Sequence, residues 1–152
     1  MKINIIWGCP ASGKSTYVSE HRGKNDITFD FDLLMMALSG LDMHTSNTNL
    51  IGYVTDIRDG IIKRIKTEKK LQDAWIIVTW VDDEFKEQFK DYKSVEYILM
   101  DTTEEECLDR INNNDDRQAS KDEQVKVVKE WFKKYKEQDK RKRLLLCIEL
   151  AD

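Results

Sequence analysis

A short stretch near the start of the chain constrains the fold more than any other feature of the sequence. Residues 8–16 read GCPASGKST and fit the pattern G-x-x-x-x-G-K-[ST] at every specified position. The apolar run Ile3–Trp7 precedes them, and the following residues, Lys14–His21, favour a helix. A strand, turn and helix start of this kind form a nest of backbone N–H groups at the positive end of a helix dipole. The sequence therefore predicts an anion-binding turn here.

The residue types in this stretch suit the phosphates of a nucleotide. Gly8 and Gly13 allow backbone conformations and close approaches that a Cβ would hinder. Lys14 would reach the β- and γ-phosphates, and the Ser15 hydroxyl would bind Mg²⁺. We expect the nucleotide to be held by Gly8, Cys9, Pro10, Ala11, Ser12, Gly13, Lys14, Ser15 and Thr16. The alternative is an ordinary glycine-containing turn, in which Cys9 is either a redox-sensitive thiol or simply a small residue that fits.

The apolar runs along the chain indicate an α/β fold. They predict five strands, at Ile3–Trp7, Ile27–Phe31, Trp75–Thr79, Val95–Met100 and Leu144–Leu150. Helical patterns lie between the strands, and residues 103–106 and 120–123 read as capping boxes at helix starts. This alternation predicts a five-stranded, mostly parallel sheet with helices on both faces. The length of 152 residues fits one domain over residues 1–152.

Two carboxylates follow the second predicted strand, at the end where ligands bind in parallel sheets. Asp30 and Asp32 alternate along the chain, so both side chains would leave a strand on the same face. Asp32 would serve as the general base for an acceptor hydroxyl, and Asp30 would bind Mg²⁺ through water or contact the acceptor. The alternative for Asp32 is a helix N-cap.

Arginines would supply the positive charge that a transferred phosphoryl group needs. The candidates are Arg58 on the predicted long helix, for the acceptor, and Arg110 and Arg117, for the nucleotide. Arg110 and Arg117 flank a polar stretch, and residues 110–120 are predicted to form a mobile lid. The alternative for each arginine is a surface ion pair with a neighbouring aspartate.

Composition excludes some classes of protein. The net charge of −4 argues against a general nucleic-acid coat, although a local basic channel is compatible with it. The sequence contains no run of about 18 apolar residues, so we expect no membrane span. The absence of a signal peptide and the three separated cysteines predict a cytoplasmic protein with reduced thiols.

His21 and His44 have no partners at metal-ligand spacing, so we expect no zinc site at these residues. Residues 140–143, KRKR, are expected to form a solvated turn before the last strand.

The loop, the Asp-bearing second strand and the arginine lid together resemble the small P-loop kinases of the polynucleotide 5′-hydroxyl kinase type, over nearly the whole chain. The resemblance implies a P-loop NTPase fold that binds ATP and Mg²⁺ through residues 8–16. It also implies that Asp32 is the general base and that Arg117 contacts the transferred phosphate. The chain looks similar, in addition, to uncharacterised phage AAA-type ATP-binding proteins, whose features are matched by Asp30, Asp32, Arg58 and residues 74–77, AWII.

The implied function is an ATP-dependent phosphotransferase, with a nucleic-acid 5′-hydroxyl as the expected acceptor. Two positions depart from those kinases. Met35 stands where they carry an arginine, and Thr79-Trp80 stand where their third strand ends in an aspartate. Two alternatives therefore stay open: a kinase of a nucleotide or other small molecule, and an ATP-binding switch or partner-binding module with little turnover.

Overall fold

The computed structural model describes the backbone of residues 1–151 and the side chains of residues 1–147. Four strands and six α-helices alternate through most of this range. In chain order they are β1 (Lys2–Trp7), α1 (Lys14–His21), β2 (Ile27–Phe29), α2 (Phe31–Ser39), α3 (Ile51–Ile65), β3 (Asp73–Val78), α4 (Asp83–Glu87), β4 (Val95–Leu99), α5 (Glu104–Asn112) and α6 (Lys121–Ala151). Two short 3₁₀ helices, Thr48–Leu50 and Asp115–Ser120, precede α3 and α6.

The strands form one parallel sheet in the order β2-β3-β1-β4. In the register of the sheet, Ile5 pairs with Ile76 on one side and with Tyr97 on the other. The two central strands are apolar along most of their length, as expected for strands that are covered on both faces. The α/β prediction with a parallel sheet is confirmed, with four strands instead of five.

Alternate residues of the strands pack against different helices. Ile3, Ile5 and Ile76 belong to one buried cluster, which also holds side chains of α2, α3 and α4. Ile6 and Ile77, which face the other way, pack with Val18 of α1. Helices therefore cover both faces of the sheet, and this layering follows from the period of two along each strand.

A third buried cluster joins α5 and α6 to the carboxyl ends of the strands. Its buried members are Cys9, Cys107, Ile111, Val128 and Trp131. Trp7 and Trp80 pack against it from the ends of β1 and β3, and the indole of Trp131 donates a hydrogen bond to the carbonyl of Thr79 at 2.8 Å. This cluster anchors the first half of α6 next to the site described below.

The predicted fifth strand is wrong. Residues 144–150 lie within α6, a helix of 31 residues, and so do residues 140–143, which were expected to form a turn. The reason is that leucine is a strong helix former and that no glycine or proline separates this run from the preceding helical pattern. The side chains of Leu144, Leu145 and Leu146 are exposed. None of the helices within residues 1–151 combines the length and the hydropathy needed to span a bilayer.

Candidate active site

The loop between β1 and α1 has positive φ angles at both of its glycines. Gly8 and Gly13 have φ angles of 149° and 94°, in the region that favours glycine. A Cβ on Gly8 would lie 3.2 Å from the Cβ of Met100 and 3.3 Å from its carbonyl oxygen. Gly13 is the N-cap of α1 and has no side chain to offer, so the first N–H groups of the helix are available to an anion.

The ammonium group of Lys14 lies at the mouth of this loop. Its Nζ donates hydrogen bonds to the carbonyl oxygens of Gly8, at 2.8 Å, and Cys9, at 2.7 Å. Burial lowers the pKa of Lys14 to about 8. An anion placed in the loop would favour the charged amine and offer it better partners than two neutral carbonyls.

Asp30 connects the loop to the start of α2. Its Oδ2 accepts a 2.7 Å hydrogen bond from the Ser15 hydroxyl, while its Oδ1 accepts from the backbone N–H groups of Asp32, at 3.0 Å, and Leu33, at 3.4 Å. Asp30 is therefore the N-cap of α2, the role considered for Asp32 in the sequence. Its carboxylate, which is only 7% exposed, orients the Ser15 hydroxyl.

The expectation that Asp30 and Asp32 share one face of a strand is wrong. The strand β2 ends at Phe29, and Phe31 already belongs to α2, because the capping carboxylate of Asp30 begins a helix there. Asp30 consequently points into the protein beside Ser15. The side chain of Asp32, on the first turn of α2, is 51% exposed and faces the cavity described below.

Asp32 has a partner that the sequence did not indicate. His44, in the segment between α2 and the first 3₁₀ helix, places its Nδ1 3.2 Å from the Oδ2 of Asp32. Burial pushes the pKa of the Asp32 carboxyl upward, but the hydrogen bond and charge of His44 and two nearby cations outweigh burial. The cations are Arg117 and Lys14, and the net effect holds the pKa of Asp32 below its ordinary value.

Residues 110–120, the segment that the sequence predicts to be a lid and that is called the lid segment below, consist of the end of α5 and the second 3₁₀ helix. The amide of Gln118 donates to the carbonyl oxygens of Ile111 and Asn112, each at 3.2 Å, and Asn114, at 2.9 Å. The capping box predicted at residues 103–106 is present. The one predicted at residues 120–123 is wrong, because Ser120 ends the 3₁₀ helix and its hydroxyl donates instead to the carbonyl of His44 at 3.1 Å.

The three candidate arginines have different surroundings. Arg117 is half-buried and donates a hydrogen bond to the side-chain oxygen of Gln124 on α6. Burial lowers the pKa of the Arg117 guanidinium, and the negative charge of Asp32 counteracts this. Arg110 donates to the carbonyl of Ala11 at 3.1 Å. Arg58 forms an ion pair with its neighbour Asp59 at 3.0 Å, which is the alternative to a functional role, but Arg58 also lines the cavity.

A single cavity of about 1130 Å³ collects these groups at the carboxyl ends of the strands. It is lined by residues 10–17 of the loop and α1, by Asp30 and Asp32, and by all three arginines. Gly8 and Cys9 of the loop do not line the cavity. Their backbone carbonyls accept the two hydrogen bonds from Lys14. The thiol of Cys9 packs against Cys107, and this contact and burial raise its pKa, so Cys9 stays protonated.

Among the residues that line this cavity, the sequence did not indicate the contacts made by His44, by Ser120 as a side-chain donor, and by Gln124. His44 lies in a segment without periodicity, and its contact with Asp32 depends on how that segment folds back over α2. Gln124 follows Ser120 by four residues, a spacing that places two side chains next to each other on a helix. This spacing indicates a place in the cavity only when the position of Ser120 is known.

Comparison with known proteins supports the fold. No protein-family model matches the sequence, and no curated protein is significantly similar to it. Solved structures do match. A chain of the Pnkp1/Rnl/Hen1 complex is 19% identical, with a TM-score of 0.57 over 72% of this chain and 38% of the other. A chain of the Pnkp1/Rnl/Hen1 RNA repair complex is 15% identical, with a TM-score of 0.57 over 88% of this chain and 45% of the other. The protein thus spans less than half the length of these structures and is similar to them in fold.

Proposed function

We propose that the protein has a P-loop NTPase fold and is an ATP-dependent phosphotransferase that moves the γ-phosphate of ATP to a hydroxyl group. The observation that carries this proposal is the arrangement around one cavity of an anion-binding loop with Lys14, a carboxylate at Asp32 and an arginine at Arg117. These are the three parts that phosphoryl transfer requires, namely a phosphate cradle, a group that receives the acceptor proton, and a cation for the developing charge.

The donor side of the cavity suits ATP with Mg²⁺. The backbone N–H groups at the start of α1 would bind the phosphates, and Lys14 would exchange the carbonyls of Gly8 and Cys9 for phosphate oxygens. The Ser15 hydroxyl, held by Asp30 at 2.7 Å, is the hard oxygen that Mg²⁺ prefers. Bound there, Mg²⁺ would neutralise charge on the β- and γ-phosphates.

The acceptor side is formed by the half-exposed carboxylate of Asp32. Because its pKa is held low, Asp32 is ionised at neutral pH and can accept the hydrogen bond, and then the proton, of an acceptor hydroxyl. In a loose transition state the attacking hydroxyl loses its proton late, so a weak base that orients the hydroxyl well suffices. Arg117, which also lines the cavity, would contact the oxygens of the transferred group.

The acceptor that we propose is the 5′-hydroxyl end of a nucleic acid. The open cavity leaves room beyond the phosphates, and the fold is similar to chains of an RNA repair complex. Arg58 also lines the cavity, where its guanidinium would contact a phosphate of the acceptor. Position 35, where the resemblance would place an arginine, instead carries a methionine that is 2% exposed and packed in the core. That difference favours a nucleotide or another small molecule as the second candidate acceptor.

The test is a transfer assay with γ-labelled ATP, Mg²⁺ and a panel of 5′-hydroxyl oligonucleotides, nucleosides and nucleotides. We expect label on the 5′ ends of the oligonucleotides. The variant Asp32→Asn should retain ATP affinity and lose about 10²- to 10⁴-fold in rate, because the amide keeps the shape of the carboxylate but cannot take a proton. Asp42→Asn, an exposed position on the next segment, is the matched control and should behave as the wild type.

Each alternative gives a different result. Label on nucleosides or nucleotides alone would assign the protein to small-molecule kinases. ATP binding without label on any acceptor would favour a switch or partner-binding module. An Asp32→Asn rate within about threefold of the wild type would contradict the role of Asp32 as general base. Asp30 could not easily replace it, since that carboxylate is buried and already bonded to Ser15 and to the start of α2.

A further inference from the structure

A continuous chain of hydrogen bonds crosses the rim of the cavity from Asp32 to Arg117. The Nδ1 of His44 lies 3.2 Å from the Asp32 carboxylate, and the backbone carbonyl of His44 accepts the Ser120 hydroxyl at 3.1 Å. The side-chain amide of Gln124 donates to the Ser120 hydroxyl, and its oxygen accepts from the Arg117 guanidinium. The chain thus links α2, the segment after it, the second 3₁₀ helix and α6.

The direction of every bond in this chain is consistent. A carboxylate only accepts and a guanidinium only donates, so the two ends fix the groups between them. The Gln124 amide must accept from Arg117 through its oxygen and donate to Ser120 through its nitrogen. Ser120 is then left to donate its own proton to His44. The Nδ1 of His44 must carry a proton to donate to the Asp32 carboxylate.

The backbone of His44 has a conformation that is unusual for a residue other than glycine. Its φ of 63° is in the left-handed region, which a residue with a side chain rarely adopts. The conformation turns its carbonyl towards Ser120 and its ring towards Asp32, and its side chain is only 17% exposed. Such local strain persists where surrounding contacts determine the conformation, and it concentrates at functional sites.

We propose that His44, Ser120 and Gln124 are positioning residues that hold the general base Asp32 and the phosphate-contacting Arg117 at a fixed separation. This inference rests on the proposed function, because it concerns the same cavity. The base and the lid arginine then move as one unit, so that Arg117 reaches the transferred phosphate only when Asp32 is placed to receive the acceptor hydroxyl. Misplacement by about 1 Å in such a unit costs on the order of 10²-fold in rate.

The test uses two substitutions at His44 that both tolerate its backbone conformation. His44→Gly keeps the φ and removes the ring, while His44→Asn keeps the φ and restores a side-chain N–H near the Nδ1 position. We expect His44→Gly to lower kcat by about 10- to 100-fold with little change in ATP affinity, and His44→Asn to recover much of the loss. A loss of kcat that Asn does not recover, or a loss of ATP affinity of the same size, would overturn the proposal.

A second readout does not require turnover. The charged groups that face Asp32 are His44, Arg117 from the lid segment and Lys14 from α1. Removing the His44 contact should therefore raise the pKa of the Asp32 carboxyl, measured by carbon NMR of labelled aspartate with Asp32→Asn for assignment. His44→Asn should return it towards the wild-type value. An unchanged titration in His44→Gly would overturn the inference. If no acceptor is ever labelled but the titration moves as expected, the proposed function fails and the positioning contact stands.

The coupling to Arg117 is tested separately on α6. Gln124→Glu keeps an oxygen for Arg117 but cannot donate to the Ser120 hydroxyl. A bond between the new carboxylate and Ser120 would use the hydroxyl proton that now goes to His44, so the substitution breaks the chain at a half-exposed position. We expect Gln124→Glu and His44→Gly together to cost less in kcat than the product of their separate losses, because both break the same chain. Independent, multiplicative losses would show that the two ends act separately and would overturn the proposal.

Discussion

The ammonium group of Lys14 gives the site a pH dependence at the scale of a single residue. Its pKa is about 8 in the protein without nucleotide, because burial disfavours the charged form. The amine is therefore charged below that pH and becomes neutral as the pH rises through it. We expect ATP affinity to fall by up to about tenfold from about pH 7 to about pH 9, because the charged fraction of Lys14 in the free protein falls by about that factor. Titration calorimetry at a series of pH values measures this.

Two variants isolate the contribution of Lys14 to that pH profile. Lys14→Met should bind ATP weakly at every pH and give a flat profile, since its side chain cannot be charged. Lys63→Ala, an exposed lysine on α3, should keep the full wild-type profile. If Lys14→Met bound ATP as tightly as the wild type, Lys14 would have no contact with the phosphates, and the loop would be an ordinary turn between a strand and a helix.

At the scale of elements, the lid segment should change its dynamics with nucleotide. It contains few apolar anchors. The side chain of Gln118 and the cap at Asn114 bond only within the segment, which is tied to the rest of the protein by side-chain bonds of Arg110, Arg117 and Ser120. We expect the amides of residues 112–119 to gain protection from hydrogen exchange when an ATP analogue and Mg²⁺ are added, because Arg117 would then bind phosphate. Mass spectrometry of exchanged peptides measures the gain, with residues 54–62 of α3 as an internal reference.

The variant Arg117→Ala should remove much of that gain. Lys126→Ala, an exposed position on α6, should leave it intact. Exchange that is equal with and without nucleotide would make the segment a static polar turn and would make Arg117 an ordinary half-buried arginine.

Local sequence patterns predicted the elements unevenly, for physical reasons. The loop and the central strands were predictable, because β1 and β3 are buried on both faces and glycine is needed where φ is positive. The apolar run at residues 144–150 predicts a strand wrongly, because a short apolar run has the same composition in a strand and in a helix. Asp30 and Asp32 were placed on one strand face because the sequence alone does not show where a capping carboxylate ends a strand.

At the scale of the whole molecule, the candidate site depends on contacts that no local pattern contains. Asp32 meets His44 because the segment after α2 folds back, and His44 meets Ser120 across 76 positions of the chain. The sequence indicates the residues with obvious chemistry, such as Asp32 and Arg117, but not the residues that contact them, His44 and Gln124. Long-range packing therefore decides the geometry of the cavity, and α6 has a central part in it.

The docking of α6 against the sheet gives the last prediction. Trp131 is 7% exposed, stacks on Tyr135 at 5.1 Å and donates to the carbonyl of Thr79 just beyond the end of β3. We expect Trp131→Ala to lower the free energy of unfolding by about 3–5 kcal/mol in urea denaturation, the cost of emptying a large buried site. Trp131→Phe should cost less, because one aromatic ring remains, although the hydrogen bond to Thr79 and part of the buried ring volume are lost.

Lys133→Ala, an exposed position on the same helix, is the matched control and should change stability by no more than about 0.5 kcal/mol. Because α6 also carries Gln124, the Trp131→Ala protein should bind ATP through its intact loop and yet transfer phosphate more slowly. A loss of stability as small as that of the control would mean that the aromatic cluster does not hold α6 against the sheet. The position of Gln124 next to Arg117 would then need another anchor, and the nearest one that the structure offers is the packing of Val128 against Ile111 of α5.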